Sequence, residues 1–273
     1  MGTVRHAPKV PALGSDVVQP LSIVSYNLRT GRAFDDHPWS VRREPLATLV
    51  RELAPTVLGT QEADSEMLTD LAGLLPTHYG YLAEGRRGRR QDETSGVFYD
   101  ASRLSVLDVA HRWLSDTPEL PGSATWGNEL PRMITKVRFF DSVSGRRFVV
   151  INVHLDHVSE QARVKSAHWL AELAAAEEDP VVLVGDFNVG TSSPAHQVLI
   201  TSGLRDAIRE VVPAGPAVGT FGNYRPPEPG AEQIDWILVG PGIGVVDAEI
   251  VDRTVDGRYP SDHVPVRAAL TLT

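Results

Sequence analysis

Residues 181–190, with the sequence VVLVGDFNVG, constrain the fold of this chain more than any other segment. The four apolar residues at its start are typical of a short buried strand. Gly185 ends the apolar run, and Asp186 and Asn188 follow at alternate positions. Because alternate residues of an extended chain point to the same side, a carboxylate and an amide should project together from the end of this strand. Catalytic groups often occupy such strand ends, although Asp, Asn and Gly are equally typical of an ordinary turn.

The composition is that of a globular protein with a large core. The chain has 273 residues, 42% of them hydrophobic, no cysteine and a net charge of −9. This charge argues against tight, non-specific binding of DNA, but it is compatible with an enzyme that meets one phosphate through a metal ion. The lack of cysteine excludes disulfides, thiolate metal sites and a cysteine nucleophile. No apolar run is long enough to predict a membrane span.

The first twenty residues lack the apolar core that a signal peptide carries. We therefore interpret residues 1–20 as a flexible leader and favour a cytoplasmic protein. A secreted protein whose signal had been removed would have the same sequence. We expect the chain to act as a monomer.

Apolar periodicity predicts alternating strands and helices over the rest of the chain. Helical spacing covers residues 41–53, 65–75 and 159–176, with Ser40 and Ser159 as the expected caps, and a short helix should begin near Pro194. Strands are expected at residues 21–26, 56–60, 79–83, 96–99, 104–109, 133–140, 147–155, 181–184, 233–239 and 243–251, with a last strand starting at Asp262 and His263. Helices mixed with so many strands indicate an α/β or α+β protein.

Polar residues that suit metal and acid–base chemistry lie beside these short strands. They are Asn27, Glu62, His154, Asp186, Asn188, Asp235, Asp262 and His263. Carboxylates supply the oxygen ligands that Mg²⁺ prefers, and one or two suffice to hold it, so Glu62 is a sensible direct ligand. Hydrolysis of a phosphate ester needs its developing charge neutralised and a water molecule oriented in line. A metal, imidazoles and carboxylates supply both requirements.

Six short motifs, in this order, resemble those of the endonuclease/exonuclease/phosphatase superfamily. They are YN at 26–27, QE at 61–62, NVH at 152–154, GDFN at 185–188, ID at 234–235 and SDH at 261–263. The superfamily includes deoxyribonucleases, apurinic endonucleases, deadenylases, inositol-polyphosphate 5-phosphatases and neutral sphingomyelinases. Because motifs from both ends must meet in one site, the resemblance implies a single domain over residues 21–273. It also implies a four-layer αββα sandwich, in which two packed mixed β-sheets are flanked by helices.

The resemblance implies a metal site and a water-activating group. Glu62 would bind Mg²⁺, or Mn²⁺ in its place, and Asn27 and Asp262 would lie near the metal. Asp186 would orient or deprotonate the attacking water, and Asn188 would hold that water or the phosphate. Which group is the general base stays open.

The resemblance also implies that two imidazoles contact the phosphate. His154 and His263 would stabilise the transition state, Asp235 would orient one of them, and Asp262 would polarise His263. Glu93, just before the predicted strand at 96–99, is a further candidate partner for His154, although a solvated loop acid is equally expected.

Several segments resemble a bacterial branch of the superfamily, namely FYD at 98–100, RWLSDTP at 112–118, TWGNELPR at 125–132 and HLDH at 154–157. Arg132 and Arg163 are candidates for phosphate contacts, although ion pairing on its helix would also explain Arg163. Trp39 and Trp126 lie in polar loops and are candidates for a platform that stacks on a base or a sugar, with loop packing as the commoner role. The basic run GRRGRRQDE at 85–93 is predicted to be a solvated loop.

The sequence thus predicts a Mg²⁺-dependent phosphoesterase that hydrolyses a phosphodiester by in-line attack of water. Its partner would be a phosphate ester, either nucleic acid or a smaller diester. A phosphomonoesterase or a lipid head-group phosphodiesterase is the alternative within the same chemistry. A binding module without activity is disfavoured, because all eight motif positions carry chemically competent residues.

Overall fold

A computed structural model describes residues 19–33, 36–212 and 218–273. Residues 1–18 of the expected leader, and 213–217 of a long loop near the carboxyl end, lie outside the described residues. The strands are β1 (Leu21–Asn27), β2 (Val57–Gln61), β3 (Tyr79–Leu82), β4 (Ser95–Asp100), β5 (Leu104–Trp113), β6 (Met133–Asp141), β7 (Arg146–His154), β8 (Val181–Asp186), β9 (Arg205–Asp206), β10 (Asp235–Val239), β11 (Ile243–Ile250) and β12 (Val266–Leu272). The helices are α1 (Trp39–Leu53), α2 (Ser65–Leu74), α3 (Glu160–Ala175), α4 (Pro194–Thr201) and α5 (Ala207–Val211). Within the described ranges, none of these helices has the length and apolar character that crossing a membrane requires.

The strands form two six-stranded mixed sheets, with the orders β11-β12-β1-β2-β4-β3 and β5-β6-β7-β8-β10-β9. β1 runs parallel to β2 in the first sheet, and β7 runs parallel to β8 in the second. Each of these parallel pairs is joined by a helical crossover, as parallel pairing requires. The carboxyl ends of β1 and β2, and those of β7 and β8, therefore lie side by side within their sheets.

Alternation along the central strands distributes apolar side chains among three layers. On β8, Val182 and Val184 point between the two sheets, whereas Val181 and Leu183 point to the outer face. The outer face of the second sheet is covered by α3 and α4, and α1 and α2 cover the outer face of the first. Helices, two sheets and helices again form the four-layer αββα sandwich, so the fold prediction is confirmed.

Several predicted element boundaries are wrong. The first helix begins at Trp39 after an N-cap at Pro38, because proline fixes the extended backbone that precedes a helix and Ser40 already lies inside the first turn. The last strand begins at Val266, not at Asp262 and His263, since a proline intervenes and has no N–H to donate to the ladder. The two short elements β9 and α5 were not predicted, because two and five residues are too few to show a period.

The two sheets approach each other closely at Gly59 of β2. A Cβ atom built on Gly59 would lie 2.6 Å from Cγ2 of Val184 and 3.1 Å from Oδ1 of Asn152, both in the opposite sheet. We expect Gly59→Ala to lower the free energy of unfolding by about 1–3 kcal/mol, as overpacking typically does. Denaturant unfolding measures this change. Gly73→Ala is the matched control, because Gly73 has open space around it on α2 and alanine favours a helix, and equal losses in the two variants would contradict the explanation.

Candidate active site

The layer between the sheets changes from apolar to polar at one end. On β8, the inward residue after Val184 is Asp186. On β7, the inward residues after Val150 are Asn152 and His154. His154 and Asp186 are direct neighbours in the parallel register of these two strands. The same alternation that builds the core thus brings functional side chains together at the strand ends.

Asn27 joins the two sheets at this polar end. Its Nδ2 atom donates hydrogen bonds to Oε1 of Glu62 and to Oδ2 of Asp186, both at 2.9 Å. The other oxygen of Glu62 accepts from the backbone N–H of Thr30 at 3.0 Å. Glu62 itself has a left-handed backbone, with φ of 64°. Non-glycine residues rarely adopt this conformation, and its cost is typical of residues that a functional site holds in place.

Below this cluster, two amides bridge the sheets. Gln61 donates from Nε2 to Oδ1 of Asn152 at 2.7 Å, and Asn152 donates from Nδ2 to the carbonyl oxygens of Thr60 and Gly96. All of these groups are buried, so their hydrogen bonds replace those that water would otherwise provide. This network fixes the spacing of the sheets directly under the site, a role that the sequence did not reveal for Gln61 or Asn152.

The two imidazoles approach the same carboxylate from different segments, His154 from the end of β7 and His263 from the loop before β12. Nε2 of His154 lies 3.7 Å from Oδ2 of Asp186, and Nε2 of His263 lies 3.8 Å from the same oxygen. Nδ1 of His263 donates to Oδ2 of Asp235 at 2.8 Å. Of the two orientations left open for Asp235, the structure therefore places it against His263 and not against His154.

The charges at these groups differ sharply. Burial opposes protonation of His263, but the carboxylates of Asp235 and Asp186 outweigh it and raise the pKa of His263 to about 10. Burial, together with the positive charges of Arg132 and Arg86, holds the pKa of His154 well below its ordinary value. One imidazole is therefore cationic at neutral pH and the other is neutral, so they can serve different functions.

The carboxylates fit a divalent cation. Ligand atoms of Glu62, His154 and Asp186 lie within 4.8 Å of one another. Burial, followed by the charge of Asp235, raises the pKa of Asp186 to about 7, and burial also raises the pKa of Asp262. Buried carboxylates whose negative charge is incompletely offset are the usual setting of a bound cation, and oxygen donors favour a hard ion.

The remaining motif residues lie at the edge of this cluster. Asn188, with φ of 54°, donates its backbone N–H to Oδ1 of Asp186 at 2.8 Å, and its side-chain Nδ2 donates to the carbonyl oxygen of Leu155 at 3.0 Å. Oδ2 of Asp262 lies 3.4 Å from Nη1 of Arg29. The structure thus brings all eight motif residues together, with Asp262 beside an arginine rather than hydrogen-bonded to an imidazole.

The expected partnership between Glu93 and His154 is not formed. Arg86 donates instead to both carboxylate oxygens of Glu93, at 2.8 and 3.1 Å. Burial raises the pKa of Glu93 to about 7, although the charge of Arg86 opposes this shift. The prediction was wrong because a basic residue seven positions earlier in the chain folds inward and takes the carboxylate.

The expected aromatic platform is not formed either. Trp39 and Trp126 are only 8% and 7% exposed, because each packs into an apolar cluster under a helix. The indole N–H of Trp39 donates to Asp70 at 3.0 Å, and that of Trp126 donates to Asp116 at 2.8 Å. The two rings are structural, since neither offers an open face to a ligand.

The two arginines proposed for phosphate contacts are placed differently. Arg132 lines the cleft beside His154. Arg163 is directed to the start of its own helix, where Nη1 donates to the carbonyl oxygen of Asp156 at 2.8 Å, and it does not line the cleft. Arg132 thus remains a candidate for a phosphate contact, whereas Arg163 stabilises the segment that precedes its own helix.

A cleft of about 410 Å³ opens above the motif residues, and it contains side chains that the sequence analysis did not single out. These additional residues are Arg29, Thr30, Leu130, Phe221 and Ile234, and the cleft also contains Arg86 of the basic run and His157 of the HLDH segment. Arg29 and Thr30 lie just after the YN motif, so their position in the sequence could have indicated that they lie near the site. Phe221 is half exposed and packs edge-on against His263, with ring centroids 5.1 Å apart. A larger cavity of about 740 Å³ beside α1 contains none of the eight motif residues.

The comparison with protein families agrees with this geometry. The sequence profile described as the Endonuclease/Exonuclease/phosphatase family matches residues 24–263. No match was found among curated proteins.

Solved bacterial structures share both fold and sequence with this chain. An endonuclease/exonuclease/phosphatase family protein from Bacteroides thetaiotaomicron is 31% identical, with 93% of this chain and 95% of that chain covered and a TM-score of 0.85. The mannosyl-6-phosphatase Bt3783 from Bacteroides thetaiotaomicron VPI-5482 is 30% identical, covering 92% and 100%, with a TM-score of 0.83. TDP2 from D. rerio in complex with a single-strand DNA product is 18% identical, covering 92% and 98%, with a TM-score of 0.73, and shows the shared fold alone.

Proposed function

The chain belongs to the Endonuclease/Exonuclease/phosphatase family, and on that premise we propose that it hydrolyses a phosphate ester with the help of a divalent metal ion, with Mg²⁺ as the first candidate. The observation that carries this proposal is the convergence on Asp186. Asn27 links its carboxylate to Glu62 at 2.9 Å, and two imidazoles lie within 3.8 Å of it. This arrangement brings metal ligands close to groups that can accept or donate a proton.

Glu62 and Asn27 would hold the cation, with Asp262 nearby. A divalent cation there supplies charge neutralisation for the phosphate oxygens and makes a bound water more acidic. Asn27 fixes the orientation of both carboxylates, because one amide nitrogen donates to Glu62 and to Asp186.

Asp186 is the group placed to orient a water molecule or to accept its proton. Asn188 holds the carboxylate from one side through its backbone N–H, and its own amide is fixed by Leu155. His263, held by Asp235, presents a positively charged Nε2–H that stabilises negative charge on the phosphate or on the departing oxygen. His154, which is neutral, contributes a hydrogen bond without adding charge.

We favour a phosphomonoester as the substrate over the phosphodiester that the sequence analysis predicts. The relative at 30% identity is named as a mannosyl-6-phosphatase, and a chain with a net charge of −9 has little general attraction for a nucleic-acid backbone. A small phosphodiester that contains a ring is the second candidate, because Phe221 offers an exposed aromatic face at the cleft.

A substrate panel with and without Mg²⁺ tests this function. We expect hydrolysis of p-nitrophenyl phosphate or a sugar phosphate, abolished by EDTA, with slower turnover of bis-p-nitrophenyl phosphate, DNA and RNA. Glu62→Gln should keep the shape of the side chain and raise the Mg²⁺ concentration needed for half-maximal activity by about tenfold or more, because it removes a ligand charge. An unchanged Mg²⁺ titration would remove Glu62 from the metal site, and activity that survives EDTA would contradict the proposed function.

A further inference from the structure

The wall of the cleft beside His154 carries two buried guanidinium groups. Arg86 is 9% exposed and Arg132 is 5% exposed, and both line the cleft. Arg86 belongs to the basic run that was expected to be a solvated loop. Its neighbour Arg87, by contrast, has a side chain that is 53% exposed. One arginine of the run has therefore been turned into the site, and the next remains outside.

The loop is shaped to place Arg86 there. Gly85 forms a bridge with Thr94, and the backbone N–H of Arg86 donates to the carbonyl oxygen of Glu93 at 2.8 Å. The carbonyl oxygen of Arg86 accepts from the indole N–H of Trp113 at 2.6 Å. A Cβ atom at Gly85 would lie 2.1 Å from the carbonyl oxygen of Gln91, so this tight path needs glycine. The bridge and the hydrogen bonds to Glu93 and Trp113 therefore hold the backbone of Arg86 in place.

Both guanidinium groups keep unused donors. Within the described part of the chain, the Nε atoms of Arg86 and Arg132 are buried without a hydrogen-bond partner. Arg132 contacts Nδ1 of His157 at 2.9 Å through Nη2, and its Nε lies 3.5 Å from Asp156. Burial, followed by the positive charge of Arg86, lowers the pKa of Arg132. Carboxylates offset part of both charges, since Arg86 pairs with Glu93 and Asp92 and Arg132 lies beside Asp156. Each guanidinium nevertheless keeps an Nε–H without a hydrogen-bond partner among the described residues, which suits it to an anion that enters the cleft.

The carboxylates Glu62 and Asp262 line the same cleft. A phosphate in this cleft can therefore meet the metal-binding carboxylates and the two guanidinium groups at once. A diester has one negative charge and two non-bridging oxygens, which the metal and His263 can satisfy. A monoester at neutral pH has nearly two charges and three such oxygens. Its additional oxygen needs a further cationic partner, and guanidinium is well matched to phosphate.

We propose that Arg86 and Arg132 form a two-guanidinium subsite that binds the doubly charged terminal phosphate of a monoester and makes the enzyme select monoesters over diesters. This inference rests on the proposed phosphoesterase function and deepens it, since it assigns the substrate class to two residues. Arg86 is the member chosen for the test, because its exposed neighbour Arg87 on the same loop provides a matched control.

The test compares Arg86→Gln with Arg87→Gln on p-nitrophenyl phosphate and on bis-p-nitrophenyl phosphate. We expect Arg86→Gln to lower kcat/KM for the monoester by about 10²-fold, and at least tenfold more than for the diester, whereas Arg87→Gln leaves both substrates unchanged. Glu93→Gln should have the opposite effect and lower KM for the monoester, because it removes the negative charge and one of the two acceptor oxygens that compete for Arg86. Equal losses on both substrates in Arg86→Gln would overturn the proposal.

Binding of inorganic phosphate, measured by calorimetry in Mg²⁺, separates this proposal from the proposed function. We expect Arg86→Gln to weaken phosphate binding at least about tenfold and Arg87→Gln to leave it unchanged. If the wild-type protein hydrolyses nothing but shows this pattern, the proposed function fails and the subsite stands. If phosphate binds equally to all variants, the subsite is wrong whatever the activity. Circular dichroism melting shows whether Arg86→Gln is folded. Arg86→Lys keeps the charge but not the planar guanidinium fork, and its phosphate affinity provides a second measurement of the same contact.

Discussion

Asp186→Asn is expected to lower kcat by about 10²-fold or more on every phosphate ester that the protein hydrolyses. The carboxylate accepts hydrogen bonds from Asn27 and from the backbone of Asn188, and both imidazoles lie within 3.8 Å of it. An amide of the same shape keeps the volume but removes the negative charge and the capacity to accept a proton.

The structure suggests how this loss should divide between binding and turnover. Substrate binding draws on groups elsewhere in the cleft, so KM should change less than kcat, and the loss should appear mainly in the transition state. Asp141→Asn is the matched control, because Asp141 is also buried and charged, yet it pairs with Arg103 at the far end of the same sheet. If kcat of Asp186→Asn stayed within about threefold of the wild type, Asp186 would have no role in water activation.

The central strands follow from short-range sequence patterns, whereas the convergence of the motif residues was expected only from the resemblance to the superfamily. Inward and outward residues alternate on β8 from Val181 to Asp186, and this period already separates the core face from the helix-covered face. The GDFN segment could be placed at a strand end for the same reason. The resemblance also implied that Asp235 orients an imidazole, and the structure shows that this imidazole is His263.

The peripheral residues could not be placed in this way, because their positions depend on contacts between distant segments. Trp39 and Trp126 lie among polar neighbours in the sequence, yet apolar clusters under the helices bury both rings. Arg86 has the local sequence of a solvated loop, and only the bridge between Gly85 and Thr94 and the indole of Trp113 turn it inward. Burial of this kind is a tertiary effect that composition and periodicity do not record.

The second prediction with a large expected effect concerns the Asp235–His263 pair. Asp235→Asn should lower kcat about tenfold or more at neutral pH, because it removes the charge that keeps the imidazole protonated and weakens the hydrogen bond that orients it. The double variant Asp235→Asn/His263→Ala should be no less active than His263→Ala alone, since the two side chains act as a unit. Simple multiplication of the two losses would show that Asp235 acts independently of His263.

The pH dependence gives the sharper result. Although burial opposes protonation, Asp235 and Asp186 raise the pKa of His263 to about 10, so the wild-type imidazole stays cationic through neutral pH and loses its proton only in alkaline solution. Removal of the Asp235 charge lowers this pKa, and we expect the alkaline limb of kcat/KM to move at least about one pH unit toward neutrality. Asp206→Asn is the control. Asp206 lies on β9 of the same sheet, away from the cleft, and its carboxylate is 3.4 Å from His196 of α4. The pH profile of this variant should keep the wild-type alkaline limb. An unshifted alkaline limb in Asp235→Asn would mean that the protonated form of His263 is not the active one. The positive charge at the phosphate would then have to come from the two-guanidinium subsite or from the metal.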